Sequence, residues 1–195
     1  NLCYAVRSDF RQGCIMGASD WMGHLQGLLA AGVRLHGSAL AAAQRVTGFA
    51  FDETMTGTVS LNGAGLPSGE RRMQVHFQMS APTLGDYLRE GRTDLSGTAA
   101  IDGIVEDAPA HGSLWIWPHR RVIRYEFTFA WAGHRLQFAG QKDVRLLDFP
   151  RTMTTLPGQI FDEQETPVGT ATIVFHWADL PALVSSLRLV REHGG

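Results

Sequence analysis

From Phe49 onward the chain alternates apolar and polar residues with a period of two. Phe49, Phe51, Met55, Val59 and Leu61 share one face, and Asp52, Thr54, Thr56, Thr58 and Ser60 share the other. Arg71 to Ser80 repeats the pattern, with Met73, Val75, Phe77 and Met79 opposite Arg72, Gln74, His76 and Gln78. A period of two fits a half-buried strand and not a helix, because successive side chains of a strand point to opposite faces. Asn62 to Gly69 is a Gly/Pro/Ser loop between the first two strands. Thr83 can cap a short helix carrying Leu84, Tyr87 and Leu88. Further strands are expected near 94–104, 112–118, 120–131, 134–145, 151–161 and 168–177, with Ala132-Gly133 as a tight hairpin link. No βαβ alternation is present, so the fold class is mainly β, an antiparallel barrel of about eight strands, with a sandwich as the alternative. A closed barrel of eight strands has an interior that side chains fill or that holds one small ligand, as in lipocalin-like proteins.

Helical patterns flank this region. Residues 18–47 carry Trp21, Met22, Leu25, Leu28, Leu29, Val33 and Leu35 mostly three or four apart, behind the capping types Ser19 and Asp20. Gly23, Gly27, Gly32 and Gly37 weaken that helix, by about 1 kcal/mol each relative to Ala. At the other end Asp179 and Pro181 open a helix with Leu180, Leu183, Val184, Leu187 and Val190 on one side. The expected organisation is an N-terminal helical arm over 1–48 and a barrel with a C-terminal helix over 49–195.

The 195 residues suffice for one domain with a full core. With 17 basic and 19 acidic residues the net charge is −2, which gives no electrostatic case for a nucleic-acid partner. The chain begins at Asn1 and not Met, which reads as a trimmed chain or a fragment, and no signal peptide is recognisable. The longest apolar run of the N-terminal region, Leu28 to Val33, is too short for a membrane span. Cys3 and Cys14 match no metal pattern and read as a reduced pair in a cytoplasmic protein. The eight histidines are scattered without metal-ligand spacing, so neither a metal nor another cofactor is expected.

Of the 17 basic residues, Lys142 alone is lysine and the other 16 are arginine. A GC-rich genome explains the arginines but not the exception. An ammonium is compact and loses its proton when desolvated, whereas a guanidinium stays charged. Lys142 also lies in phase with Leu136, Phe138 and Val144, and Glu53 in phase with Phe51 and Met55. Both therefore point toward the apolar side of their strands, where a charge is either paired or shifted in its titration. One reading is a buried ion pair that fixes strand register. The other is a pair of polar groups in the wall of an otherwise apolar cavity. Ile123, Tyr125, Phe127, Phe129 and Trp131 form an aromatic stripe in which the Tyr125 hydroxyl needs a partner if buried. Trp115 and Trp117 share a face with His119, either at a barrel mouth or beneath a helix.

Several of these stretches occur together as Phe51-x-Glu53-x-Met55-x-Gly57, Leu84-Gly85-Asp86-Tyr87-Leu88, Leu95-Ser96-Gly97-Thr98, Tyr125-x-Phe127-x-Phe129, Gly140-Gln141-Lys142-x-Val144 and Gly169-x-Ala171. In that combination, over about residues 49 to 190, the chain resembles the calycin-like β domain found beside GMC-type (cholesterol-oxidase-like) flavin oxidoreductases of bacteria. The resemblance implies a barrel associated with sterol- or lipid-like substrates and a partner oxidoreductase. It carries no established catalytic residue, and the chain has no flavin fingerprint of its own.

Three functions follow as expectations. The first is binding of a hydrophobic small molecule (sterol-, terpenoid- or polyketide-like), with its polar end oriented by Glu53, Lys142 and Tyr125. Phe51, Met55, Phe77, Trp115, Phe127, Phe129, Trp131 and Phe138 would line its pocket. The second is a cofactor-independent isomerase or cyclase, with Glu53 as acid/base, Lys142 polarising a carbonyl and Tyr125 assisting. The third is a module that docks onto the partner oxidoreductase.

Overall fold

The computed structural model describes residues 46–63 and 65–191. Nearly all of the expected N-terminal arm, with Cys3 and Cys14, lies outside the described residues. Its last three residues, 46–48, open the first strand and do not belong to a helix.

Among the described residues nine strands and three α-helices follow in order: β1 (Val46–Leu61), β2 (Gly69–Ala81), α1 (Leu84–Glu90), β3 (Arg92–Ile101), β4 (Val105–Trp117), β5 (Val122–Trp131), β6 (His134–Asp143), α2 (Phe149–Thr154), β7 (Thr155–Phe161), β8 (Pro167–Val174), α3 (Leu180–Ser186) and β9 (Arg188–Arg191). Each strand from β1 to β8 pairs antiparallel with the next, and β1 also pairs with β8, which closes an eight-stranded barrel. β1 is long enough to serve two neighbours on one edge. Its residues 56–61 pair with β8, and Gly48 to Ala50 pair with β9. Between those stretches the Asp52 N–H donates to Ser186 Oγ at 2.8 Å, so the edge is satisfied where neither strand reaches.

The differences from the expected elements have local causes. β4 starts at Val105, earlier than 112, because Ala108 and Ala110 continue the inward face and pair with β3. Residues 151–154, expected to begin a strand, belong to α2 instead. Pro150 lies in its first turn, where a fixed φ favours a helix, and Thr152 and Thr154 hydroxyls donate to carbonyls one turn back. The C-terminal helix stops at Ser186, because Leu187 is extended and the chain turns into β9. Val190 is therefore a strand residue. The Ala132-Gly133 hairpin forms as expected, with positive φ at both residues (47° and 84°), the geometry that matches strand twist.

Inside the barrel the side chains make one continuous core. At its centre the Phe127 ring lies 4.8 Å from both Phe77 and Phe138. Gly97 pairs with Phe77 and Gly112 with Phe127, where a Cβ would run into the neighbouring strand's backbone at the His76 and Glu126 carbonyls. A Cβ at Gly140 or Gly158 would come within 2.6 or 2.4 Å of the Phe138 ring. Those two glycines thus leave the volume that the Phe138 ring fills.

The two barrel ends differ. One is finished by loops between successive strands. The other carries α1, α2 and α3, since these helices join or follow the strand ends there. On that side the β6–β7 ladder is short. It spans four pairs, Gln137↔Phe161 to Gly140↔Gly158, and leaves Gln141 to Asp143 without a β7 partner.

Candidate functional site

The three polar residues that broke the sequence pattern converge near the helix-closed end. Glu53 comes from β1, Tyr125 from β5 and Lys142 from β6, and the strand order places β5 across the barrel from β1. All three are buried, at 7%, 3% and 3% exposure. The Tyr125 hydroxyl crosses the lumen and donates to Glu53 Oε2 at 2.9 Å. Lys142 is the diagonal neighbour of Tyr125, because Tyr125 pairs with Gly140 on β6. Its Nζ lies 5.2 Å from the centroid of the Tyr125 ring, an ammonium over an aromatic face.

The direct Glu53–Lys142 ion pair considered from the sequence does not form. Glu53 takes its hydrogen bond from Tyr125, and among the described residues no carboxylate lies within ion-pair distance of Lys142. Burial lowers the Lys142 pKa from its ordinary value of 10.5, and the Glu53 charge opposes that shift without cancelling it. Tyr125 is held well above 10.0, first by burial and then by the charge and hydrogen bond of Glu53. The tyrosine therefore keeps its proton and serves as a hydrogen-bond donor, and burial favours the neutral form of the lysine more than water does.

The expected lining residues divide into three sets. Met55, Phe77, Phe127, Phe129 and Phe138 all face inward and are 0–2% exposed. A void large enough for water would leave accessible surface on such side chains, so they act as packing at the barrel centre. Phe51, at the same end as Glu53, is only partly buried, and Trp131, also partly buried, closes the opposite end beside His134. Trp115 is a correction. Leu114 and Ile116 take the inward phase of β4, so Trp115 and Trp117 project outside. There Trp115 stacks on Trp117 and lies under the Arg124 guanidinium, 5.9 Å from its ring centroid.

One inward polar residue escaped the sequence reading. Thr93 is buried on β3 near the same end, and its hydroxyl donates to the Leu114 carbonyl at 3.3 Å. Its phase with Leu95 was the available signal. The histidines fall outside the lumen where their contacts are seen: His76 Nδ1 meets Thr54 Oγ1 at 2.9 Å and His176 Nε2 meets Thr56 Oγ1 at 2.7 Å. Among the described residues no three His, Cys, Asp or Glu side chains gather as a metal set, and no helix is long and apolar enough to cross a membrane. An open surface depression of about 280 Å³, lined by Arg124, Gln141, Pro157 and Gln159 among others, sits outside the Gly140–Gly158 pair. Glu53, Tyr125 and Lys142 do not line it.

Comparison with protein-family models, curated proteins and solved structures returned no match.

Proposed function

We propose that the barrel binds a small, largely apolar molecule that carries a carbonyl or similar acceptor, at the end where Glu53, Tyr125 and Lys142 meet. The observation that carries this reading is a lysine only 3% exposed that, among the described residues, forms no ion pair, its amine lying over the Tyr125 ring with the Glu53 charge beyond ion-pair distance. A charge so far desolvated and so loosely compensated is costly to keep. A ligand acceptor would complete its hydrogen bonding. The packed centre leaves a ligand no room there, so the proposal sets it at this end, beside the partly buried Phe51. The sterol-, terpenoid- or polyketide-like classes remain proposals that rest on the resemblance of the sequence motifs, as does a partner oxidoreductase.

Calorimetric titration with 2-heptanone and 1-heptene tests the reading. A hydrogen bond to a charged group contributes about 1.5–3 kcal/mol, so the ketone is expected to bind at least about tenfold tighter. Lys142→Met, which removes the charged donor, should remove the difference. Equal affinities in the parent protein would overturn the proposal.

A second reading, a cofactor-independent isomerase or cyclase, draws on the Tyr125–Glu53 hydrogen bond, which sets a proton donor and an acceptor beside the amine. It predicts proton exchange at the carbon next to a bound ketone carbonyl, visible as deuterium uptake by mass spectrometry and lost in Glu53→Gln.

A further inference from the structure

We propose that Lys142 forms a Schiff base with the carbonyl carbon of an aldehyde or ketone bound at the helix-closed end, with Glu53 and Tyr125 moving the protons. The inference rests on the binding reading above and names its ligand class and its covalent chemistry.

Three observations support it. Lys142 is 3% exposed and, among the described residues, meets no carboxylate, so no ion pair holds it in the charged form. Desolvation favours the neutral amine, and the neutral amine is the nucleophile. A carboxylate and a hydroxyl joined at 2.9 Å lie at the same end of the barrel, and the ring that carries the hydroxyl has its centroid 5.2 Å from the amine. Arginine, which serves at the other 16 basic positions, cannot perform this step because its guanidinium keeps its proton.

The step balances without any further reagent. The Lys142 ammonium gives one proton to the Glu53 carboxylate, with the Tyr125 hydroxyl as relay. The freed lone pair attacks the carbonyl carbon, and the C=O π pair moves to oxygen, which takes a second proton from the nitrogen. The carbinolamine C–O bond then breaks. Its hydroxyl leaves as water with the proton returned by Glu53, and the nitrogen lone pair closes the C=N bond. The ammonium and carbonyl become a protonated imine and water, and Glu53 ends as a carboxylate facing the new cation.

Because the chain has a single lysine, the test has a single side-chain target. The folded protein is incubated at neutral pH with heptanal and cyanoborohydride, and the modified peptides are located by mass spectrometry. Expected is one heptyl group on Lys142, formed faster than modification of the terminal α-amine. Lys142→Arg, checked for folding by circular dichroism, should show modification of the α-amine only. Glu53→Gln should slow trapping at Lys142 by about 100-fold, the low end of what a positioned acid–base group supplies. Binding of 1-heptanol, which cannot form an imine, is followed separately by calorimetry. Saturable heptanol binding with Lys142 unmodified would overturn the covalent step and leave the binding reading standing. Absence of both would overturn the two together.

Discussion

Lys142 and Glu53 are held inside the barrel without touching, and the Tyr125 hydroxyl stands between the carboxylate and solvent-like freedom. Their free energies are therefore coupled. Glu53→Gln removes the charge that favours the buried ammonium, and is expected to cost about 1–3 kcal/mol as the penalty of an uncompensated polar group. The double variant Glu53→Gln/Lys142→Met removes the ammonium as well and should be at least as stable as the parent, since apolar replacement of a buried charge pair is often neutral or stabilising. Urea denaturation of the three proteins measures this, and additive losses would contradict it. The alkaline limb gives a second check. Tyr125, with its pKa raised, holds its proton in the folded state after the unfolded chain has lost it, so its contribution is intact below about pH 10 and declines above. Lys142 has the opposite sign. Its lowered pKa makes the folded state shed a proton first, so its penalty is relieved as pH rises toward 10.5. Tyr125→Phe should therefore flatten or reverse the loss of stability above pH 10 in thermal melts. The inward direction of all three residues was legible from strand phase alone. Their mutual arrangement was not, because period two says which face a side chain takes but not which opposite strand it meets. Trp115 shows the converse: its size suggested a ligand wall, while the phase of Leu114 and Ile116 already put it outside.

At the level of elements, α3 and β9 are fastened to the barrel by a small polar joint. Arg188 donates to both Asp52 oxygens at 3.0 and 2.9 Å, Gln78 adds a longer bond at 3.3 Å, and Ser186 satisfies the Asp52 backbone. The Arg188 hydrogen bond leads in lowering the Asp52 pKa, so the joint persists at neutral pH and weakens only as pH falls below the ordinary aspartate value of 3.8. Both side chains keep contact with solvent, and Arg188→Ala should cost no more than about 1 kcal/mol of global stability. The same change should raise amide exchange selectively over residues 188–191, and unchanged protection there would refute the joint. This element was only half visible in the sequence. Leu180, Leu183 and Val184 have helical spacing, but Leu189 and Val190 belong to a strand whose partner, β1, lies more than a hundred residues away. No local pattern announces such a pairing. α2 was missed for the opposite reason, since a single Pro150 in the first turn outweighed the strand-like residues after it.

For the molecule as a whole, alternation together with turn chemistry was enough to give about eight antiparallel strands, with barrel and sandwich both open, because every strand buries one face. Closure itself depends on β1 pairing with both β2 and β8, a long-range fact that composition cannot carry. The barrel wall is not equally strong around its circumference. β1 and β2 share thirteen residue pairs, whereas β6 and β7 share four, and the last of these joins two glycines. In hydrogen exchange followed by mass spectrometry, the amides of 139–143 and 156–158 are expected to open before those of β1–β5, and uniform protection would contradict this. Lys142 lies two residues past that last rung. The amine proposed as the reactive group thus sits beside the stretch of wall with the fewest cross-strand bonds to break, and its surroundings are expected to loosen before the rest of the cylinder.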